Sequence, residues 1–456
     1  MSDATLDLIT PVRPLRPDVR ALVAVLLAAA LATLDAAIAN TALPAIAADL
    51  HAQPAASIWV INAYQLTVVA VLLPFATLGE RYGAWRVYLG GLLIFTLASL
   101  GCAMSHTLAG LVVARALQGV GGGAVMSVNI ALIRSLYPEH RLGRGVGLNA
   151  LVVGVGFAVG PSIASLVLAV ASWPWLFAIN VPLGALALIF AWTALPRTAP
   201  GPHRFDAGAA ALTALTFGAL LFGLVSAAQR ESVRQVGASL AVAAASGGWL
   251  LRRQTGHPAP MLPVDLLRRP MFALSVLTAL ASFSAQGLAF VSLPFYFEQV
   301  LHRNPVETGL LMTPWAIVVA AAAPVAGRLS DRYPPGLLGG VGLATLCAGM
   351  VSLAWLPQSR PSALDIVVRM AVCGLGFGLF QSPNLKALMT SAPPHRSSGA
   401  SGVIALARLT GQASGAALVA LCFGLAGTAG PTWALGLGAV FAGVAAVASS
   451  ARLWAR

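Results

Sequence analysis

The sequence predicts an all-α membrane protein with fourteen transmembrane helices, and three observations support this fold class. Of the 456 residues, 58% are hydrophobic and only 9% are charged, whereas a soluble domain carries about 25% charged residues. The mean hydropathy is +0.84. The apolar residues fall in runs of roughly 18 to 25, long enough to cross a hydrocarbon core about 30 Å thick. Helices suit so many runs, because each helix satisfies its own backbone hydrogen bonds.

Fourteen apolar segments follow one another along the chain, joined by short connections rich in Pro, Gly and Arg. The longest connection, 251–270, is too short to form a soluble domain. The predicted spans are 20–43, 57–78, 87–104, 108–133, 146–170, 175–195, 207–227, 236–251, 271–295, 308–328, 336–356, 363–385, 400–425 and 431–450.

The basic residues test this count and orient the spans. When the N-terminus is placed inside and the sides alternate, 20 of the 27 Lys and Arg residues fall in inside segments and 4 fall outside. Cytoplasmic loops carry such an excess of positive charge. We therefore expect both termini to be cytoplasmic, in a bacterial cytoplasmic (inner) membrane. The net charge of +13 is explained by this placement, so we expect membrane lipids and no nucleic acid as partners.

The sequence contains no pattern typical of a cofactor or a metal. Its four cysteines lie far apart inside apolar runs, without Cys-x-x-Cys spacing, and are typical of small buried thiols. No phosphate loop of the G-x-x-x-x-G-K-[ST] type is present, which argues against drive by ATP. We expect no catalytic residue, no metal and no cofactor other than protons as a coupling ion.

An internal repeat is visible when the region 119–160 is shifted by 255 residues. Eleven residues then coincide with identical residues, from Gly119 with Gly374 to Gly160 with Gly415. Both copies run in the same direction across the membrane, so two parallel halves are expected. The predicted division is a tail 1–19, an N-terminal six-helix half 20–196, two inserted helices with linkers 197–270, a C-terminal six-helix half 271–450 and a tail 451–456.

Three stretches carry motifs. The first runs from Leu34 to Pro44 in span 1 and contains Asp35. The second joins spans 2 and 3 and has a second copy between spans 10 and 11. Its residues are Gly79, Glu80, Arg81, Gly83 and Arg86, with Asp331 and Arg332 in the second copy. The third comprises Arg115 to Gly121 in span 4, and Gly156, Gly160 and Pro161 in span 5.

These stretches resemble the major facilitator superfamily, and specifically its fourteen-helix drug:proton antiporter branch. The resemblance implies two six-helix halves around a central cleft, and proton-coupled export of lipophilic cationic drugs or biocides by alternating access. It identifies Gly156, Gly160 and Pro161 as an antiporter motif. Ala164 and Ser165 stand where that motif normally ends in two glycines, a departure that weakens the assignment to antiport.

Asp35 and Arg115 are the predicted proton-coupling residues. Asp35 is the only acidic residue deep in an apolar span. A carboxylate at that depth costs about 2.5–3.5 kcal/mol and normally faces a wet cavity. We expect it to hold either a proton or a cationic substrate. The alternative is that Asp35 is a structural partner for Arg115 or bonds the backbone, and Arg115 equally could tie helices together through backbone carbonyls.

The loop motif and its second copy are predicted to form a conformational latch. An acidic side chain at a helix N-terminus is favoured by the helix dipole, and neighbouring Arg can pair with it. The latch would hold the halves in one packing and release them in the other.

A substrate wall is predicted from aromatic and amide side chains in spans 2, 4, 9, 10 and 12. Aromatic faces suit a cation stripped of water, and amides suit a polar cleft. For each residue the alternative is packing or contact with lipid. The predicted wall consists of Trp59, Asn62, Tyr64, Gln65, Asn129, Phe283, Gln286, Trp315, Phe380, Gln381 and Asn384.

Other functions stay open on the sequence alone. A carrier for an endogenous metabolite or lipid, or an uptake symporter, would share this fold. A sensor or scaffold without transport is a further alternative, which the lack of soluble domains disfavours. We expect a monomer that binds a small lipophilic cation.

Overall fold

The computed structural model describes residues 18–137, 142–197, 206–228, 232–254, 264–356, 361–391 and 397–454. The regular structure in these ranges is helical. The α-helices are α1 (Val19–Asp49), α2 (Pro54–Ser57), α3 (Trp59–Tyr82), α4 (Ala84–Ala103), α5 (Leu108–Leu136), α6 (Leu142–Val170), α7 (Pro174–Ala178), α8 (Asn180–Ala194), α9 (Ala207–Ala228), α10 (Val233–Gln254), α11 (Pro270–Phe295), α12 (Pro305–Leu329), α13 (Pro335–Ala354), α14 (Ala363–Ser391), α15 (Ser397–Ala426) and α16 (Gly430–Ala451).

The helices confirm the predicted fold class, but the count of fourteen spans stays a prediction. Within the described ranges, 11 segments are long and apolar enough to cross a membrane, or 12 if α6 is counted as one bent span. One of the 11, Gly402–Ala451, contains both α15 and α16, which a turn at Gly427–Ala429 separates. Helix α10 is not among them, because arginines and other polar residues lower its hydropathy.

Helix boundaries follow local sequence. Six of the described helices have proline in the first turn, where its missing N–H breaks no hydrogen bond. The side chains of Asp18, Thr107 and Asn304 cap α1, α5 and α12. Gly83 separates α3 from α4 with a φ of 94°, a backbone conformation that glycine adopts without strain. The short connections keep successive helices antiparallel.

The two halves repeat one packing pattern. In the first half α5 packs on α3 and α4, and α1 packs on α6 and α8; in the second, α14 packs on α12 and α13, and α11 packs on α15 and α16. Gly121 of α5 lies so close to α4 that a Cβ would be 2.4 Å from the Phe95 nitrogen, and Gly376 of α14 lies equally close to the Leu346 nitrogen of α13. The positions of the domain boundaries stay predictions.

Contacts between the halves concentrate away from the termini. We call the end where α1 begins and α16 ends the termini end. At the other end one apolar cluster joins both halves, with Ile46 of α1, Phe295 of α11 and Phe423 of α15 among its members. At the termini end the apolar clusters each lie in one half, around Tyr88 in the first and Phe272 in the second. The far end is thus closed by contacts between the halves. Toward the termini end the halves still meet, at Leu73 of α3 and Leu406 of α15, in a smaller apolar cluster.

Helices α9 and α10 form a hairpin beside the halves. Helix α9 contacts both α3 of the first half and α15 of the second. Asp206, just before α9, accepts two hydrogen bonds from Arg253 of α10, 3.0 Å from Nε and 2.9 Å from Nη2, and one from the Ala209 N–H. The Arg253 side chain, followed by this backbone bond, lowers the pKa of Asp206. The pair joins the two helices at their polar end.

Candidate functional site

The midlevel of the first half contains a buried polar cluster centred on Asp35. Asp35 and Arg115 are each 1% exposed, and the Arg115 Nη1 lies 2.5 Å from the Asp35 Oδ2. The Asp35 Oδ1 accepts hydrogen bonds from Gln118 Nε2 at 2.9 Å and Asn180 Nδ2 at 2.8 Å. Both carboxylate oxygens are therefore occupied by protein donors, as the cost of burying a charge requires.

Further contacts extend this cluster to α3 and α4. Arg115 Nε donates to the Val60 carbonyl at 3.0 Å, and its guanidinium lies 4.4 Å from the centre of the Tyr64 ring. Gln118 Nε2 donates to Ser99 Oγ at 2.8 Å. The cluster thus connects α1, through Arg115 and Gln118 of α5, with α3, α4 and α8. A change in the charge of Asp35 would be felt by all five helices.

This geometry joins two residues that the sequence analysis paired and adds partners that it did not identify. Asp35 and Arg115 are in contact, which was the structural alternative considered for Asp35. Arg115 also bonds to the Val60 carbonyl, which was the structural alternative considered for Arg115. In this conformation Asp35 holds Arg115, and no cationic substrate reaches it. Gln118 lies in the third motif stretch and Asn180 in the predicted span 175–195, but only their placement on α5 and α8 reveals them as hydrogen-bond partners of Asp35. Tyr64, predicted for the substrate wall, belongs to the cluster and is 4% exposed.

Asn129 and Asn384 do not line the boundary between the halves. Asn129 Nδ2 donates to the Val25 carbonyl at 3.4 Å, and Asn384 Nδ2 donates to the Ser275 carbonyl at 3.2 Å. Each asparagine thus ties the end of one helix to the start of the first helix of its own half. Their equivalent bonds agree with the predicted repeat. Both side chains face helices at the termini end in this conformation, and their place in the predicted wall stays a prediction.

The predicted aromatic residues of the second half pack against one another. Phe283 lies 5.4 Å from Phe377 and 6.2 Å from Phe380, measured between ring centres and with the rings near perpendicular. Trp315 lies 5.3 Å from Phe290 in the same arrangement. All are buried. They form the core of the second half in this conformation.

The remaining residues of the predicted substrate wall lie on α3, α11 and α14. Gln286 of α11 accepts a hydrogen bond from Gln412 of α15 at 3.0 Å. Asn62 of α3 is fully buried, and neither polar atom of its side chain has a hydrogen-bond partner in the described structure. Gln65 Oε1 is likewise unpaired. Trp59 packs on Phe222 of α9 at 5.9 Å, and Gln381 is half-buried.

The residues of the predicted latch contact neighbours within one half. Asp331 pairs with Lys386 of α14 at 2.6 Å, so its partner is a lysine and not the neighbouring Arg332. Both side chains are largely exposed. The Arg81 guanidinium lies over the Tyr82 ring and that of Arg86 over the Trp85 ring, while Glu80 has a partner of its own. The role of these residues as a latch between halves stays a prediction.

The antiporter-motif residues pack α6 against α1 and α12. A Cβ on Gly160 would lie 2.4 Å from the Ala37 Cβ, and Gly156 faces Thr33. Ser165, one of the two departures from the motif, donates to the Pro161 and Pro305 carbonyls at 2.9 and 2.8 Å. The opposing residue is Gly309, which leaves room for the Ser165 hydroxyl. Close packing of α6 is therefore kept without the two glycines.

Comparison with known proteins identifies a family that matches most of this chain. The family profile described as Major Facilitator Superfamily matches residues 25–416. "Uncharacterized transporter YebQ" of Escherichia coli (strain K12) is 50% identical over 442 residues, covering 96% of each chain. "Riboflavin transporter RibZ" of Clostridioides difficile (strain 630) is 29% identical, covering 86% of this chain and 85% of that one. "Multidrug resistance protein Stp" of Mycobacterium tuberculosis (strain CDC 1551 / Oshkosh) is 30% identical, covering 85% and 72%.

A solved structure shares the fold at low sequence identity. A POT family transporter, crystallised with a thioalcohol-conjugated peptide, superposes with a TM-score of 0.73 and 14% identity, covering 95% of this chain and 96% of that one. This likeness concerns the fold alone.

Proposed function

The chain belongs to the major facilitator superfamily of transporters, and we propose that it is a proton-coupled antiporter that exports lipophilic small molecules, cationic drugs or biocides among them, by alternating access. The observation that carries this proposal is the buried Asp35–Arg115 pair. Replacing a buried ion pair by apolar residues is often neutral or stabilising, so stability alone gives little reason to keep it. A protonatable carboxylate deep in a membrane protein normally has a functional role.

Protonation of Asp35 supplies the switch in this proposal. In the present conformation the carboxylate is charged and holds Arg115. A proton on Asp35 removes the attraction, and the freed guanidinium is left with the Val60 carbonyl of α3 and Gln118. Helix α3 contacts α15 of the other half. The proton therefore competes with Arg115 in this state, and its effect reaches the boundary between the halves through α3.

The direction of export and the membrane are parts of the same proposal. The basic residues concentrate in segments predicted to lie on the side of both termini, which the positive-inside rule places in the cytoplasm. The larger apolar cluster between the halves closes the opposite end, so we infer a conformation that faces a bacterial cytoplasm and receives substrate from it. The name of Stp agrees with a multidrug substrate range.

The decisive variant is Asp35→Asn, with Asp49→Asn as its control. Asp49 lies at the far end of the same helix and accepts a hydrogen bond from Trp173 Nε1 at 2.7 Å, which an asparagine oxygen also accepts. We expect Asp35→Asn to abolish ethidium efflux driven by a pH gradient in proteoliposomes, and Asp49→Asn to keep it. The elution profile and thermal unfolding temperature verify that both variants fold.

Three results would contradict the proposal. Full, gradient-driven efflux by Asp35→Asn excludes Asp35 as the coupling residue. Accumulation of ethidium in cells, in place of extrusion, identifies an uptake carrier. The absence of ethidium transport together with flux of an endogenous metabolite identifies a metabolite carrier, the function that the name of RibZ exemplifies for that relative.

A further inference from the structure

Arg408 is an intramembrane cation without a partner in the described structure. It lies in α15, inside the apolar segment Gly402–Ala451. Its Nε has no hydrogen-bond partner, and no ion pair joins it to a described acidic residue. The other two arginines within predicted spans are paired, Arg115 with Asp35 and Arg369 with Asp365. Of these three arginines, Arg408 is therefore the one without a compensating acid among the described residues.

The packing of α15 places Arg408 on the face that looks toward the boundary between the halves. Gly411 and Gly415 mark the edge against α11, since a Cβ on them would lie 2.6 Å from the Leu280 oxygen and 2.4 Å from the Ser284 oxygen. Leu409 and Ala413 mark the edge against α3, in one apolar cluster with Val69. At 100° per residue, Arg408 falls between these two edges.

Neighbouring groups on this face are polar and aromatic. Gln412 follows Arg408 by one helical turn and donates a hydrogen bond to Gln286 of α11. The Phe283 Cβ lies 3.0 Å from the Cβ position of Gly411, which brings the aromatic cluster of the second half to the same edge of α15. Arg408 itself is partly exposed. It is thus a charged group beside this aromatic cluster, between the edges of α15 that contact α11 and α3.

We propose that Arg408 binds an acidic group of the substrate, so that the preferred substrates are aromatic lipophilic compounds with a carboxylate, zwitterions included, over simple cations. An uncompensated charge at membrane depth is expensive and normally faces a cavity where it has a ligand. A guanidinium presents two parallel donors that match the oxygens of a carboxylate. A cation without an acidic group gains no such pairing, so we expect it to bind less tightly while still being exported. The inference rests on the proposed function, whose site it refines.

Rhodamine B and its ethyl ester test the inference, because the two dyes differ only in a free or esterified carboxylate. Binding to the purified full-length protein in detergent is measured by quenching of tryptophan fluorescence, which requires no transport. We expect wild type to bind rhodamine B about 10- to 100-fold more tightly than the ester, the range for a hydrogen-bonded charged pair. Arg408→Gln should remove this difference, and Arg408→Lys should keep part of it.

Arg20→Gln is the matched control, since it removes one exposed positive charge at the start of α1. We expect it to bind both dyes as wild type does. Equal binding of the two dyes by wild type, tighter binding of the ester, or an unchanged preference in folded Arg408→Gln overturns the inference. Failure of the proposed function is separate, since it appears as an absence of gradient-driven efflux whatever the dye-binding preference.

Discussion

The two halves share a packing pattern, yet their midlevels are built from opposite chemistry. The glycine contacts define equivalent positions: Gly156 faces Ala30 as Gly411 faces Leu280, and Gly121 faces Phe95 as Gly376 faces Leu346. In this register, polar positions of the first half correspond to apolar positions of the second half. Asp35, Ser99, Arg115 and Gln118 correspond to Ala285, Met350, Met370 and Cys373, which lie together in one buried apolar cluster.

This difference teaches that the fold does not need the polar cluster. The same arrangement of three helices closes around alanine, methionine and cysteine in the second half. The ion pair in the first half is then best explained by a task that apolar side chains cannot perform. It also explains why the two halves can have separate roles, with charge switching in one and an aromatic core in the other.

The largest expected effect comes from giving the first half the residues of the second. Arg115→Met alone leaves the Asp35 charge buried without its partner, which should lower the free energy of unfolding by about 3–5 kcal/mol. The double variant Asp35→Ala, Arg115→Met removes both charges and should recover most of this loss. Neither should export ethidium. Thermal unfolding in detergent and efflux from proteoliposomes measure the two properties.

A double variant that is as unstable as Arg115→Met would break the comparison, because the polar cluster would then be structural. A stable double variant with normal efflux would instead remove the ion pair from the mechanism.

An intermediate effect is expected at the two equivalent glycines. Gly121→Ala and Gly376→Ala each place a Cβ 2.4 Å from a backbone nitrogen of the neighbouring helix, so the helices must move apart. Overpacking of this kind costs about 1–3 kcal/mol, and we expect similar losses in both halves. Gly90→Ala is the control, since no atom lies within 4 Å of its Cβ position. Unequal losses in thermal stability would show that one half is more tightly packed at this contact.

The smallest effect is expected at the exposed pair Asp206–Arg253, which is the reference for the buried one. Its side chains are 32% and 47% exposed, so Arg253→Gln should cost at most about 1 kcal/mol. The Arg253 side chain lowers the pKa of Asp206 in the folded protein. The pair therefore stabilises above the unfolded pKa of about 3.9, and this contribution is lost as the pH falls through the folded value.

The measurement compares the unfolding temperatures of wild type and Arg253→Gln between pH 7 and pH 3. Their difference should be small at pH 7 and vanish toward pH 3. A difference that grows on acidification would mean that another group accounts for the effect.

The sequence predicted the fold class, the family and an internal repeat, because these depend on hydropathy and spacing. It also singled out Asp35 and Arg115, since charges in apolar spans are rare. It could not identify Gln118 and Asn180 as ligands of Asp35, because that depends on how α5 and α8 are rotated against α1. For the same reason it could not show that Asn129 contacts Val25 of α1. Nor could it show that Arg408 has no acidic partner among the described residues.

The placement of α9 affects how membrane-dissolved molecules approach the protein. Because α9 covers the line where α3 and α15 meet, acyl chains on that flank are kept away from the junction. On the other flank α6 and α12 contact each other directly, without an added helix among the described residues. An amphiphile diffusing sideways in a leaflet therefore meets two different flanks, one covered by α9 and one formed by α6 and α12 themselves.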